Sequence, residues 1–158
     1  MMPNLSLVVL AYNEQDNLAA AIEECLAYLD GKAGDHEVII VDDGSSDDTA
    51  AIAAALASSD ARVRVVSHPV NRGMGAGMRS GYGAASKDYV CMLPADGQIA
   101  PESIDVLLPA LQRAPIVTSV YSRRPSERYR ILLSAGMRTL MRVLVGLSFR
   151  LEGIYLFP

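Results

Sequence analysis

Four short apolar runs, each broken by a turn rich in glycine, asparagine or aspartate, leave this chain few architectures. They are LSLVVLA at residues 5–11, EVIIV at 37–41, VRVV at 63–66 and YVCML at 89–93. Runs this short and this continuously apolar are expected of strands buried on both faces, as in a parallel sheet. Between them the period changes: Leu18, Ala19, Ile22, Leu26 and Leu29 recur at helical spacing. Asn13, with Asp16 three residues on, reads as the N-cap of that helix, and Gly31 and Gly34 as its end. Residues 49–57 and 75–86 read as two more helices, Pro101 opens another to about residue 113, and 116–121 reads as a fifth strand. Alternation of this kind predicts an α/β fold, a doubly wound and mostly parallel sheet with flanking helices.

At 158 residues the chain is one domain or a piece of one. Its two cysteines, Cys25 and Cys91, each lie in an apolar stretch and are expected to be buried, reduced thiols of a cytosolic protein. The start lacks the basic region of a secretion signal. Charge is unevenly spread: residues 1–116 hold 16 acidic and 7 basic side chains, whereas residues 117–158 hold 2 and 7. That basic end is also strongly apolar, with Arg128, Arg130, Arg138 and Arg142 spaced through a pattern that reads as helical over residues 125–158. Charge interrupts it too often for a bilayer span, so it is expected to lie in a membrane interface or to pack on the sheet edge. Ending at Pro158 directly after the apolar "IYLF", the segment reads as incomplete at its C-terminus.

Ligands of open α/β sheets bind beyond the carboxyl ends of the strands. Four segments fall there: "AYNE", "DDGSSD", "NRGMGAG" and "PADGQ". Asp42 and Asp43, leaving a buried strand, can accept hydrogen bonds from a base or from ribose hydroxyls. Gly44 permits a sharp turn and Ser45 or Ser46 can cap the next helix, while Asp47 and Asp48 suit a helix's first turn through the dipole. Glu14 can serve either the dipole or a ligand. The segment "NRGMGAGMRSG" fails as a dinucleotide fingerprint, because Met78 occupies the third glycine position and the turn follows the third strand. It remains either a backbone cradle for phosphate or a tight turn without a ligand. Asp96 is a lone carboxylate at the end of the fourth strand, two residues after Pro94.

Together, "VVLAYNE", "EVIIVDDGSSDDT", "NRGMGAGMRSG" and "PADGQ" resemble family 2 glycosyltransferases of the GT-A fold, and most closely their polyprenyl-phosphate branch, typified by dolichyl-phosphate mannosyltransferase. The resemblance is good over about residues 4–124 and loose beyond. It implies a nucleotide-sugar-binding core at residues 1–124, with 125–158 as a basic amphipathic segment on the acceptor and membrane side. The backbone near Ala11 and Tyr12, with Glu14 and Asp42, would hold the base and ribose; Asp43 would help around the ribose, and Asn71 to Gly73 would lie along the donor. Asp96 matches the second carboxylate of the family's Asp-Ala-Asp metal motif and would be its catalytic member, Gln98 matches the trailing glutamine, and Pro94 stands where the first aspartate is expected. One carboxylate, a carbonyl oxygen and the donor diphosphate can suffice for Mg²⁺ or Mn²⁺, which would then arrive with the nucleotide sugar.

On the acceptor side, Arg123, Arg124 and Arg130, with Ser134 one helical turn on, would position a lipid phosphate, although Tyr121 replaces an arginine usual in the family. The expected activity is an inverting transfer from a UDP- or GDP-sugar to a polyprenyl phosphate, by a peripheral protein at the cytoplasmic membrane face. The alternatives are a saccharide hydroxyl acceptor with Glu152 as base, or a non-catalytic nucleotide-sugar-binding module. Nucleic acid is not an expected partner, and a nicotinamide-dependent oxidoreductase is disfavoured by the imperfect, misplaced glycine motif.

Overall fold

The protein is described here by a computed structural model, which describes residues 3–110, 117–118, 139, 143 and 155–157. In chain order these form β1 (Leu5–Ala11), α1 (Leu18–Lys32), β2 (His36–Asp42), α2 (Thr49–Ser59), β3 (Val63–Ser67), α3 (Met74–Ala84) and β4 (Tyr89–Pro94). Two 3-10 turns, Pro101–Val106 and Leu108–Ala110, follow, then β5 (Val117–Thr118) and β6 (Tyr155–Phe157). The sheet order is β3-β2-β1-β4-β6-β5. The first four strands are parallel to one another, while β6 runs antiparallel to both β4 and β5.

The period-2 alternation of side chains divides the sheet into two dry faces. Leu5, Leu7, Val9 and Ala11 of β1, Val38 and Ile40 of β2, and Cys91 and Leu93 of β4 join one core with Leu18, Ile22, Cys25 and Leu29 of α1 and Ala53 of α2. The alternate residues Val8, Ile39, Val41 and Val90 form a second core beneath α3, against Tyr82 and Ala84. Each Val, Leu or Ile buried in this way contributes about 1.5–3 kcal/mol, which is why runs with no polar alternation become central strands. α3 lies especially close to the sheet. A Cβ at Gly81 would overlap Val8 Cγ1 and come within 3.1 Å of Val41 Cγ2, and one at Gly77 would lie 3.3 Å from Leu10 Cδ2.

The doubly wound, mostly parallel fold is thus as expected, with four corrections of detail. Asn13 is not a helix cap: it has φ 56°, and α1 starts only after Asn17, whose side chain caps nothing. The turn between them is closed by backbone bonds from Asn17 and Leu18 to the Glu14 carbonyl. Gly31 lies inside α1 rather than ending it, since Lys32 still gains from the C-terminal dipole and pairs with Asp105 at 3.0 Å. The segment from Pro101 is two 3-10 turns rather than an α-helix, and its buried residues Pro101 and Ile104 have the threefold spacing that such a turn presents.

The fourth correction concerns residues 125–158, read as helical throughout. Thr139 and Val143 are helical, but Tyr155–Phe157 is a strand, pairing Val90 with Phe157 and Cys91 with Leu156. Tyr155–Phe157 therefore fills the sheet position beside β4, and the expected fifth strand sits one place further out, against β6.

Candidate functional site

Strand register brings the four predicted loops to one edge. Leu10 lies opposite Pro94, Ala11 opposite Asp42, and Asp42 opposite Ser67, so β1 to β4 all end at one level. Backbone bonds continue the sheet one step into the loops: Asp43 N–H donates to Ala11 O, His68 N–H to Asp42 O and Ala95 N–H to Leu10 O, each at 2.9 Å.

The loops after β1 and β2 are laced together by side chains that hold each other's backbone. Asn13 N–H donates to Ser45 Oγ, Glu14 N–H to Thr49 Oγ1 and Gln15 N–H to Asp47 Oδ2; in return Ser46 N–H donates to Asn13 Oδ1 and Asp48 N–H to Gln15 Oε1. Asp48, not Ser45 or Ser46, holds the cap position of α2, without a side-chain bond, and the first turn contains no acidic residue; Asp47 lies just outside it. Its carboxylate accepts from Thr49 N–H and hydroxyl as well as from Gln15, which holds its pKa below the ordinary aspartate value. Glu14 is half-buried and accepts from Asn17 Nδ2 at 2.8 Å. Tyr12, 48% exposed, lies at the rim.

Asp42 and Asp43, adjacent in sequence, point to opposite faces and have different surroundings. Asp42 is 3% exposed and accepts one bond, from Ser45 N–H at 3.1 Å. Asp43, 8% exposed, accepts at Oδ1 from Arg72 N–H (3.0 Å) and at Oδ2 from Gly73 N–H (2.8 Å). His68 Nδ1 lies 2.6 Å from Asp43 Oδ1, and His68 Nε2 lies 2.8 Å from Ser80 Oγ on α3. Burial raises the cost of ionising Asp43, but these donors more than offset it and hold its pKa below the usual range. The carboxylate is thus acceptor-only, so Nδ1 of His68 carries a proton.

The glycine-rich segment is shaped by the same contacts. Gly44 has φ +72° and packs so tightly on the next loop that a Cβ there would lie 2.6 Å from Asn71 N and overlap Val70. Gly73, at φ 83°, precedes α3, and its N–H is shared between Asp43 and Asn71 Oδ1 (3.0 Å). Asn71 is exposed. The polar contacts of this loop were invisible in the sequence. The only sequence signals for His68 and Ser80 are that His68 directly follows β3 and that Ser80 falls within the glycine-rich segment, on α3.

Asp96 stands in a turn after β4, half-buried, with Oδ1 accepting from Gln98 N–H at 3.0 Å and Gly97 at φ 68°. Among the described residues no group of three or more His, Cys, Asp or Glu could hold a metal ion. The residues present fit a hard divalent cation only in one way, with Asp96 and the Gln98 carbonyl oxygen supplying part of a shell that substrate oxygens and water complete. Arg123, Arg124, Arg130, Ser134, Tyr121 and Glu152 lie outside the described residues. Cys25 and Cys91 are buried and unbridged, and burial pushes both thiols up to about 12.

A mostly parallel sheet with helices on both faces, and four loops converging beyond β1 to β4, defines an α/β ligand-binding domain of the GT-A type. Residues 6–148 match Glycosyl transferase family 2, and the chain belongs to that family of glycosyltransferases. It is 34% identical over 150 residues to dolichyl-phosphate beta-glucosyltransferase of Homo sapiens, covering 87% of this chain and 46% of that protein. It is also 34% identical over 148 residues to undecaprenyl-phosphate 4-deoxy-4-formamido-L-arabinose transferase of Pectobacterium carotovorum, covering 92% and 45%. Among solved structures it resembles glucosyl-3-phosphoglycerate synthase from Mycobacterium tuberculosis in complex with Mn²⁺, UDP-glucose and phosphoglyceric acid. That match has a TM-score of 0.70 and 26% identity, over 98% of this chain and 56% of the other. The chain spans about half the length of these relatives. No described helix is long and apolar enough to cross a membrane.

Proposed function

We propose that this chain carries the donor side of an inverting glycosyltransferase that moves a sugar from a UDP- or GDP-sugar to a polyprenyl phosphate at the cytoplasmic membrane face. The observation that supports it most is the convergence of the four motif loops on one sheet edge, in a chain whose relatives include transferases named for dolichyl and undecaprenyl phosphate. In this reading the backbone of Ala11 and Tyr12, with Glu14 and Asp42, receives base and ribose. Asp42 is suited to it by burial with only one accepted bond. Asn71 and Gly73 line the donor, and Asp43 shapes that turn through Arg72 N–H and Gly73 N–H, because its carboxylate is already engaged. Asp96 and Gln98 would hold Mg²⁺ or Mn²⁺; when bound, the cation neutralises charge growing on the departing diphosphate.

A phosphate monoester, with a second pKa near 6, is already anionic at neutral pH, so the acceptor needs orientation rather than a general base. Its oxygen attacks the anomeric carbon as the bond from that carbon to the nucleoside diphosphate breaks, inverting the centre. Arg123, Arg124, Arg130 and Ser134 are assigned to holding that phosphate, in a basic segment, 125–158, assigned to the membrane side. Calorimetric titration of UDP and GDP, with and without Mn²⁺, tests the donor half. Metal-dependent binding that falls at least tenfold in Asp96→Ala is expected; absence of binding of either nucleotide sinks the proposal. Near-wild-type transfer to lipid phosphate by a Glu152→Gln variant would rule Glu152 out as an essential base, and with it the hydroxyl-acceptor alternative.

A further inference from the structure

We infer that His68 is a positioning residue of the donor site, acting through Asp43 on the Asn71–Gly73 turn; this rests on the donor reading above. The chain of contacts is continuous. Ser80 Oγ on α3 meets His68 Nε2 at 2.8 Å, His68 Nδ1 donates to Asp43 at 2.6 Å, and Asp43 accepts the N–H groups of Arg72 and Gly73 at 3.0 and 2.8 Å. Both ring nitrogens of His68 are already engaged, with Asp43 and Ser80, so it orients rather than touches a ligand. Its placement matters because a carboxylate alone can rotate about its side-chain bonds. With the imidazole fixed against Ser80, Asp43 is left one orientation, in which its two oxygens face two successive backbone N–H groups.

The turn so held is the one against which Gly44 is packed without room for a Cβ. A shift of His68 is therefore transmitted to the loop after β2 as well as to the start of α3. A triad of this form also resembles the nucleophile–base–carboxylate order of a hydrolase. Here, however, the carboxylate spends its remaining acceptor capacity on loop backbone, so the arrangement works toward the loop and not toward Ser80.

The test compares His68→Ala, His68→Asn and Ser80→Ala with Glu37→Gln, which weakens a buried network at the opposite end of β2. Hydrogen exchange of the Arg72 and Gly73 amides is measured first, then UDP affinity with Mn²⁺ present, with thermal unfolding as the control for folding. His68→Ala is expected to lose amide protection at 72 and 73 and to bind UDP at least tenfold more weakly while still folded at the assay temperature. His68→Asn, whose amide nitrogen can replace Nδ1–H, should recover most of that affinity, and Ser80→Ala should lose a smaller part. Glu37→Gln should lower the melting temperature and leave UDP affinity alone. If His68→Ala binds UDP as the wild type does, or if Glu37→Gln weakens binding equally, His68 merely stabilises the fold and the inference is overturned. A wild type that binds neither UDP nor GDP overturns the donor reading itself, and the inference falls with it.

Discussion

Two buried carboxylates flank the ends of strand β2, Glu37 near its start and Asp43 directly after it, and the two clamp opposite ends of α3. Asp43 holds the backbone entering α3. Glu37, 4% exposed, holds the backbone leaving it, accepting from Ser86 N–H (2.7 Å), Ser86 Oγ (2.8 Å) and Ser6 Oγ (2.8 Å), with Arg64 Nη1 2.9 Å from its other oxygen. Burial opposes ionisation of Glu37, yet the Ser6, Ser86 and Arg64 donors outweigh it and keep its pKa low, as at Asp43. The partners differ. Glu37 is met by a guanidinium that stays charged, at the end of the sheet away from the ligand loops. Asp43 is met by an imidazole, at the end where the loops converge. One device closes the fold at one end and shapes the candidate site at the other.

The comparison can be broken most violently at Gly44. Ala there would need positive φ and would overlap Val70, costing about 3 kcal/mol or more. Urea unfolding should show it, together with loss of UDP binding, because the clash lies inside the site. Glu37→Ala comes next, at about 2–3 kcal/mol, since it takes the carboxylate partner from the fully buried Ser6 hydroxyl; UDP affinity should survive, and its loss would erase the distinction between the two ends. Asp43→Asn should lose less stability than Glu37→Ala, because one oxygen acceptor remains, but should weaken UDP binding at least as much as His68→Ala.

A pH series sharpens the comparison. Both carboxyls have folded pKa values below their unfolded ones, near 4, so each contributes stability fully above about pH 5 and loses it as pH falls through the depressed folded value. Melting temperature should therefore drop on the acid side, with a shallower drop in Glu37→Gln and in Asp43→Asn than in the wild type. The smallest effect is expected from Asp47→Ala. It unties one strand of the lacing between the first two loops, with a minor fall in melting temperature and a measurable loss of exchange protection at Gln15 and Thr49.

Much of this was legible beforehand because the signals are short-range. The strands were found from runs of apolar residues, and their placement at the ligand edge follows from how parallel sheets are wound. What escaped notice depended on distant partners. Asn13 has the chemistry of a helix cap, but its side chain is spent on Ser46, 33 positions away. Pro101 can open an α-helix or a 3-10 turn. The partner contacts that accompany the latter, Tyr28 and Lys32 on Asp105, cross more than 70 residues. Val117–Thr118 carried a strand pattern, yet no local pattern could say that Tyr155–Phe157 would take the place next to β4.

Within the site the same division holds. The sequence by itself determined which loops meet, since buried parallel strands bring the loops at their carboxyl ends to one edge of the sheet. It also determined that "PADGQ" brings one carboxylate to the edge where the family has two. Only the tertiary structure decided that Asp42 and Asp43 would divide their labour, one held by a single Ser45 bond and the other fully engaged with His68, Arg72 and Gly73. Alternation sends adjacent side chains to opposite faces, but what waits there is fixed by packing, and a hydrogen bond between residues 25 to 30 positions apart leaves no periodicity in the chain that makes it.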